Sequence, residues 1–177
     1  MIFRSTNLAG AFVIELQEHT DERGFFARSW CSEEFKAHGL NPRLVQCNIS
    51  FNRAKGTLRG MHYQGEPFAE AKLVRCTRGS LFDVAIDLRP ASPTYGSVLS
   101  EVLSEDNRFA MYIPEGCAHG FQTLEDDTEI FYQMSEFYSP EHQTGVRYDD
   151  PAFGIRWPLA NPIMNARDRT LPRFIKS

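Results

Sequence analysis

Two histidines near the middle of the chain lie where a titratable side chain could do chemistry. His62 belongs to a strand-like run over residues 57–63, and His119 follows a proline–glycine turn at residues 114–116. Imidazole gains and loses a proton near neutral pH, so either histidine could act as a general base or bind a metal ion. For His62 a hydrogen-bonded structural role is an equally ordinary interpretation, and the residue alone does not decide between them.

Charged residues in the two runs that follow His62 indicate a polar site. Lys72 begins one β-rich run, and Asp83 and Asp87 alternate with apolar residues in the next, over residues 81–87. Successive side chains of a strand point to opposite faces, so the apolar face of this run must pack on a core. The face with the two aspartates then turns toward water or toward an enclosed pocket. The three runs together are typical of the wall of a polar site inside a β-barrel.

Strict alternation also assigns faces within the run that contains the histidine. It places His62 on one face with Leu58 and Gln64, and it places Arg59 on the other face with Tyr63. The sequence thus predicts that His62 and Arg59 point in opposite directions.

Short β-like runs separated by glycine and proline turns cover most of the chain. The best helix candidate spans residues 32–39, where Ser32 can cap the helix and Gly39 can end it. The predicted strands cover residues 11–16, 44–50, 57–63, 72–78, 81–87, 98–103, 110–113, 118–123 and 129–135. Many short strands at this spacing indicate a β-sandwich or barrel, and the tail after Tyr148 could hold one or two short helices.

The composition is that of one globular domain over residues 1–177, with no repeat or linker that would divide it. A net charge of −4 and a pI near 5.7 leave no basic surface for nucleic acid. Neither a long apolar run nor the apolar core of a signal peptide occurs, so no membrane span and no export are predicted. The four cysteines, Cys31, Cys47, Cys76 and Cys117, are scattered, which indicates free thiols in the cytoplasm.

The segment over residues 114–119 reads PEGCAH, which matches PxGxxH, the second signature of cupin jelly rolls. Proline and glycine force a tight turn there and deliver His119 onto the strand that follows. Metal-binding cupins combine this signature with an HxH pair, but the matching segment over residues 60–64 contains His62 alone. Two histidines fall short of the three or four protein ligands that a first-row metal usually needs. The sequence therefore predicts chemistry without a metal or another cofactor.

Six segments together carry a resemblance to one known family. They read GTLRGMHYQ, KLVRCTRGSLFDVAIDLR, SPTYG, IPEGCAHGF, FYQMSEFYSPEH and YDDPAFGIRWPL. The chain resembles the dTDP-4-dehydrorhamnose 3,5-epimerase family from about Asp21 to Asp168. The resemblance implies a mostly β, cupin-like jelly roll with a few short helices. It also implies a homodimeric isomerase that inverts C3, C5 or both in a nucleotide-linked 4-keto-6-deoxy sugar, such as dTDP-4-dehydro-6-deoxyglucose, without a metal.

The resemblance implies catalytic roles for four residues. A C4 ketone acidifies the hydrogens on C3 and C5, so inversion needs a base on one face of the sugar and an acid on the other. His62 corresponds to the family's base, Asp168 to the aspartate that supports its imidazolium, and Tyr132 to the acid. Lys72 corresponds to a lysine near the keto oxygen, where a fixed positive charge stabilises an enolate.

The resemblance also implies a set of substrate contacts. Arg59 and His119 correspond to pocket residues associated with the diphosphate and the sugar. Arg23 and Phe26 belong to a nucleotide-contacting turn that can reach the neighbouring subunit's site, where the arginine can meet phosphate and the phenylalanine can stack on the base. The complete set of implied contacts is Arg23, Phe26, Gln46, Asn48, Arg59, His119 and Tyr138.

Two departures from the family pattern leave the nucleotide open. Arg28 stands where many thymidine-nucleotide members have glutamate, and Gln46-Cys47-Asn48 replaces the usual Gln-Asp-Asn. CDP- and GDP-linked sugars therefore remain alternatives. A C3-only epimerase, a sugar 3,4-ketoisomerase, a non-catalytic nucleotide-sugar-binding cupin and a metal-dependent dioxygenase are also open. Ketoisomerases of this fold tend to have histidine where Tyr132 stands, and a binding module would not need the catalytic set.

Overall fold

The computed structural model describes residues 1–175, which contain thirteen strands and two short helices. The strands are β1 (Ile2–Ser5), β2 (Phe12–Glu15), β3 (His19–Asp21), β4 (Gly24–Phe26), β5 (Gln46–Asn52), β6 (Leu58–Gln64), β7 (Lys72–Arg78), β8 (Ser80–Asp87), β9 (Val98–Ser104), β10 (Ala110–Ile113), β11 (Cys117–Thr123), β12 (Thr128–Met134) and β13 (Gln143–Gly145), and the helices are α1 (Ser32–Ala37) and α2 (Ala166–Arg169). The predicted mostly β class with a few short helices is confirmed. Over these residues, no helix has the length and apolar character needed to cross a membrane.

Two antiparallel sheets enclose an apolar core. The six-stranded sheet has the order β1-β2-β10-β7-β12-β5, and the five-stranded sheet has the order β13-β6-β11-β8-β9. β3 and β4 pair with each other as a separate hairpin. Val74 and Ile130 of the first sheet pack in one buried cluster with Leu81, Ala85 and Leu103 of the second. Each fully buried aliphatic side chain of this size stabilises the fold by about 1.5–3 kcal/mol, so the sheets are held together mainly by this cluster.

The C-terminal segment covers the outer face of the five-stranded sheet. Val84 and Ile86 of β8 form a buried cluster there with Phe153, and Trp157 packs against it. The apolar face predicted for this strand therefore packs on a core. Asp83 lies on the opposite face of the strand and is fully buried.

Asp87, the second aspartate of β8, binds the loop that follows the strand. Its carboxylate accepts hydrogen bonds from Arg89, Ser92 and Thr94 at 2.5–2.8 Å. Burial alone would raise the pKa of Asp87, but these donors outweigh it and lower the pKa to about 2. This aspartate is charged at neutral pH and holds loop 89–96 in place, so its role is structural.

Helix α1 begins differently from the sequence prediction. Cys31, not Ser32, occupies the N-cap position, and no side chain caps the helix. The predicted capping by Ser32 is therefore wrong, because that serine is already the first helical residue. Phe35 explains why the helix forms here: it is fully buried and packs edge-on against the ring of Tyr112, 5.8 Å away.

Strand β6 departs from strict alternation at Gly60. His119 of β11 pairs with His62, but Phe121, two residues on, pairs with Arg59, three residues back. Strand β6 thus has one extra residue, which forms a β-bulge, and the side chains beyond the bulge point to the opposite face from the one that strict alternation predicts. The prediction that His62 and Arg59 point apart is therefore wrong, and both line the same cavity. Only glycine fits the bulge, because a Cβ on Gly60 would lie 2.5 Å from Gly120 Cα.

Candidate active site

A polar cavity of about 420 Å³ is lined by strands of both sheets and by α2. β5, β7 and β12 contribute from the six-stranded sheet, and β6, β11 and β13 contribute from the five-stranded sheet. Nine of the sequence-predicted site residues lie in its wall: Gln46, Asn48, Arg59, His62, Lys72, His119, Tyr132, Tyr138 and Asp168. The structure therefore brings together residues that are separated by as many as 122 positions, from 46 to 168.

His62 and Asp168 form an imidazole–carboxylate pair in this wall. His62 Nε2 lies 2.8 Å from Asp168 Oδ1, and the other carboxylate oxygen accepts a hydrogen bond from the Gly60 amide at 3.2 Å. Asp168 is 1% exposed, and Asn165 caps α2 by accepting from its amide. Burial alone would raise the pKa of Asp168, but the hydrogen bond and charge of His62 outweigh it, and the pKa lies below its usual value. The pair is an ionised carboxylate that orients an imidazole.

Tyr132 faces the cavity from the opposite sheet. It lies in β12, between Asn48 of β5 and Val74 of β7 in the strand register. Burial raises the pKa of Tyr132, and the positive charge of Arg59 only partly offsets this effect. The phenol is therefore protonated at neutral pH and can donate a proton or a hydrogen bond.

Lys72 is paired with a carboxylate that the sequence analysis missed. Its Nζ lies 2.7 Å from Glu70 Oε1 and 3.3 Å from the backbone oxygen of His62. Glu70 lines the cavity as well. The sequence signal that could have identified Glu70 is its spacing from Lys72, because residues two apart in an extended chain share a face.

A second imidazole–carboxylate pair lies in the same wall. His119 Nε2 is 2.6 Å from Asp83 Oδ1, and Asp83 is fully buried. Among the described residues, Asp83 Oδ2 has no hydrogen-bond partner. The sequence placed Asp83 in the wall of a polar site but gave it no role in binding or catalysis. The face of β8 that carries Asp83 turns into the interior between the sheets, where its carboxylate lies behind the imidazole of His119, which lines the cavity.

The mouth of the cavity is formed by hydrogen-bonded polar side chains. Tyr138 donates to Gln143 Oε1 at 2.8 Å, and its amide donates to Gln46 Oε1 at 3.1 Å. Arg59 Nε donates to Asn52 Oδ1 at 2.8 Å. Arg167 of α2 also lines the cavity and was missed, because the resemblance was carried to Asp168 alone. The mouth thus combines amides, a phenol and two guanidinium groups, which suit a polar anionic ligand.

Arg23 and Phe26 are the two predicted site residues that the structure does not bring to this cavity. They lie on the β3–β4 hairpin, where the side chain of Arg23 is 82% exposed and Phe26 is 74% exposed. Phe26 lines a separate, smaller cavity of about 180 Å³ with Arg28 and Glu34. Within one chain, neither residue lines the cavity that contains His62.

The part of the chain that the structure describes holds no group of three or more His, Cys, Asp or Glu side chains arranged to bind a metal ion. Each imidazole of the cavity is instead engaged by one carboxylate, in the pairs His62–Asp168 and His119–Asp83. Chemistry without a metal stays a prediction.

An ionised carboxylate behind an imidazole on one wall, with a phenol and an ammonium on the other, defines a class of protein. Such a constellation suits enzymes that take a proton from carbon and return one to it, because base, acid and oxyanion stabiliser are all present. The cavity is large enough for a polar substrate of several rings.

Comparison with known proteins gives the family within this class. Residues 5–176 match the family model described as dTDP-4-dehydrorhamnose 3,5-epimerase. The chain belongs to this family and is an isomerase acting on carbohydrate. The family resemblance read from the sequence segments is confirmed.

Three relatives show the degree of similarity in sequence and in structure. The dTDP-4-dehydrorhamnose 3,5-epimerase of Sinorhizobium fredii is 44% identical over 173 residues, covering 97% of this chain and 89% of the relative. The crystal structure of the Elizabethkingia anophelis enzyme of the same name superposes with a TM-score of 0.96 at 36% identity, covering 98% and 96% of the two chains. A Legionella pneumophila dTDP-6-deoxy-D-glucose-3,5-epimerase, solved with dTDP-4-keto-L-rhamnose, gives a TM-score of 0.88 at 34% identity and 99% coverage of both. The cupin-like fold is confirmed.

Proposed function

We propose that this chain inverts C3 and C5 of dTDP-4-dehydro-6-deoxyglucose to give dTDP-4-dehydrorhamnose, without a metal. The observation that carries the proposal is the His62–Asp168 pair at 2.8 Å, in a cavity that also holds Tyr132 and Lys72. The proposal gives His62 the role of base, Asp168 that of its supporting carboxylate, Tyr132 that of acid and Lys72 that of oxyanion stabiliser.

The reaction proceeds in two half-steps at each carbon. His62 takes the proton from C3, and the electron pair of the C–H bond moves through C4 onto the keto oxygen, which gives an enolate. Lys72 stabilises that oxygen with its fixed positive charge. Tyr132 then donates a proton to the other face of C3, the electron pair returns from oxygen, and the ketone is restored in inverted configuration. Once His62 has released its proton to solvent and Tyr132 has regained one, the same sequence at C5 completes the reaction.

The placement of base and acid on different sheets supports inversion. His62 lies on β6 of the five-stranded sheet, and Tyr132 lies on β12 of the six-stranded sheet. A sugar ring between the two walls is therefore approached from opposite faces. Two groups on one wall would instead return the proton to the face from which it came.

The proposed nucleotide is dTDP. The Legionella relative was solved with a dTDP-linked keto sugar, which supports the same class of substrate here. Arg28, which left the nucleotide open, forms an ion pair with Glu34 at 2.8 Å, and Glu34 also binds the amino group of Met1 at 3.0 Å. The guanidinium of Arg28 is thus engaged by Glu34 within its own chain, so its presence does not argue against a thymidine nucleotide.

The function is tested by incubating the protein with the dTDP-linked 4-keto-6-deoxy sugar in deuterated water and following it by NMR. We expect deuterium at both C3 and C5, with slower turnover of the CDP- and GDP-linked sugars. Deuterium at C3 alone would identify a C3 epimerase, and movement of the keto group from C4 to C3 would identify a ketoisomerase. Tight binding without exchange would identify a binding module.

A homodimer is part of the proposal. Arg23 and Phe26 are exposed and lie outside the large cavity, and among the described residues that line this cavity Tyr138 is the one exposed aromatic side chain on which a base could stack. We propose that the β3–β4 hairpin of each subunit completes the cavity of the other. Phe26 would stack on the base, and Arg23 would neutralise a phosphate.

The dimer makes a prediction about mixed subunits. A Phe26→Ala chain and a His62→Asn chain are each expected to be nearly inactive alone, but co-expression of the two should restore activity. In the mixed dimer one cavity keeps its own His62 and receives an intact Phe26 from the other subunit. Activity of purified, doubly tagged dimers measures this.

The matched control combines His62→Asn with Asp168→Asn, whose defects both lie in the large cavity, so no intact site can form. Restored activity in that control, or no restoration in the Phe26→Ala mixture, would contradict the shared site.

The proposed compartment is the cytoplasm. All four cysteines are free thiols: Cys31, Cys47, Cys76 and Cys117. Free thiols are the ordinary state in a reducing compartment. Burial raises the pKa of Cys76 and Cys117 to about 12 each, so these two are unreactive packing residues.

A further inference from the structure

We propose that Glu70 is a positioning residue for the reaction, which holds the ammonium group of Lys72 at the place where the enolate oxygen develops. The inference rests on the proposed function, in which Lys72 stabilises that oxygen. It adds to the site a carboxylate that acts through Lys72 and does not itself exchange protons with the sugar.

The Glu70–Lys72 pair is buried, and both carboxylate oxygens of Glu70 have hydrogen-bond partners. Glu70 is 5% exposed and Lys72 is 9% exposed, and Oε1 of the glutamate lies 2.7 Å from Nζ of the lysine. The other oxygen, Oε2, accepts a hydrogen bond from the amide of Gln64 at 3.1 Å. Both oxygens of Glu70 are therefore occupied, one by the side chain it holds and one by the backbone that holds it.

The backbone partner connects the lysine to the base. Gln64 lies two residues from His62 on β6, and Lys72 itself donates to the backbone oxygen of His62 at 3.3 Å. Lys72, although it belongs to β7 of the other sheet, is thus positioned relative to the strand that carries the base. A displacement of that strand moves the base and the ammonium together.

A lysine at this place needs such a partner. Its side chain is a flexible four-carbon stem, so the ammonium can occupy many positions unless something holds it. An ammonium buried without an anion is also costly in free energy, and the side chain would turn toward the open mouth of the cavity. Glu70 prevents both effects, and a catalytic charge misplaced by about 1 Å costs on the order of 10²-fold in rate.

Glu70→Gln is the sharpest single test. The amide keeps the size of the side chain but has one acceptor oxygen for two donors, so either Lys72 or the Gln64 amide loses its partner. We expect kcat to fall at least about tenfold, with KM and the affinity for dTDP changed less than about twofold, because the nucleotide does not depend on the ammonium. Glu66→Gln, a change of an exposed carboxylate in the adjacent loop, is the matched control and should leave kcat unchanged.

A double-mutant cycle with Lys72→Met separates positioning from an independent role. If Glu70 acts through Lys72, adding Glu70→Gln to Lys72→Met costs no further kcat. A further loss of the same size as in the wild-type background would overturn the inference, and so would wild-type kcat in Glu70→Gln alone.

The outcomes also distinguish this inference from the proposed function. Wild-type kcat in Lys72→Met would remove the proposed oxyanion role and this inference with it, whereas an impaired Lys72→Met beside an unimpaired Glu70→Gln overturns this inference alone. If Glu70→Gln does not fold, Glu70→Asp takes its place. The shorter side chain keeps the charge but cannot reach both donors, so wild-type kcat in that variant would equally overturn the inference.

Discussion

Replacing His62 with asparagine is expected to abolish turnover and deuterium uptake together. Loss of a general base costs on the order of 10²–10⁴-fold in rate, and here the loss falls on the step that forms the enolate. The other imidazole of the cavity, His119, is 12% exposed at its side chain and already bound to Asp83 at 2.6 Å. His119 lies on a different strand, β11, so it does not occupy the place of the missing base, and exchange at C3 and C5 should fall in parallel.

The measurement is deuterium wash-in at the sugar by NMR, with folding checked by circular dichroism. Asp168→Asn should fall between wild type and His62→Asn, because the ring keeps a hydrogen-bond partner but loses the charge that stabilises its protonated form. His142→Asn is the matched control, since that histidine binds Ser139 outside the cavity lining. Near wild-type exchange in His62→Asn would show that another group is the base.

The parts of the fold that the sequence predicts well are those whose physics is local. The strands at residues 72–78 and 110–113 match β7 and β10 residue for residue, because glycine, proline or polar turns bound each apolar run. Strand β5 begins two residues later than predicted, at Gln46, because an apolar run does not show where pairing with β12 starts. Helix α1 was predicted from its end signals, Ser32 and Gly39, although Ser32 is not its N-cap residue.

The bulge in β6 could not be read from the sequence of that strand. Gly60 is unremarkable in a run of alternating residues, and what makes it a bulge is the close approach of Gly120 on β11. Alternation alone therefore separated Arg59 from His62, and the pairing with a strand 57 residues away brought them together.

Within the site, too, local features could be predicted from the sequence, whereas long-range pairings could not. His62 stands out locally, but Asp168 lies 106 residues further on, and resemblance to a family, not spacing, connected the two. Glu70 was missed as a site residue and Asp83 was given no role, because a carboxylate is ordinary until its partner is known. Arg23 and Phe26 were predicted from resemblance alone, and in the proposed dimer they would contact the ligand of the neighbouring subunit.

Tyr132→Phe is expected to separate inversion from exchange. The substitution removes the proton that the proposed mechanism delivers to the second face, so inversion should fall by on the order of 10²–10⁴-fold. His62 and its pairing with Asp168 are untouched, because they belong to β6 and α2 on the opposite side of the cavity. The enolate still forms, and the imidazole returns a proton or a solvent deuteron to the face from which it came.

The distinctive result is therefore a variant that takes up deuterium at C3 while keeping the configuration of the substrate. The wild-type phenol is suited to the role of acid because burial raises the pKa of Tyr132, which keeps the proton in place until the enolate has formed. Tyr148→Phe serves as the matched control, because Tyr148 lies outside the cavity lining. Inversion of C3 at the wild-type rate in Tyr132→Phe would assign the acid to another group, and loss of exchange together with inversion would place Tyr132 in the step that His62 is proposed to perform.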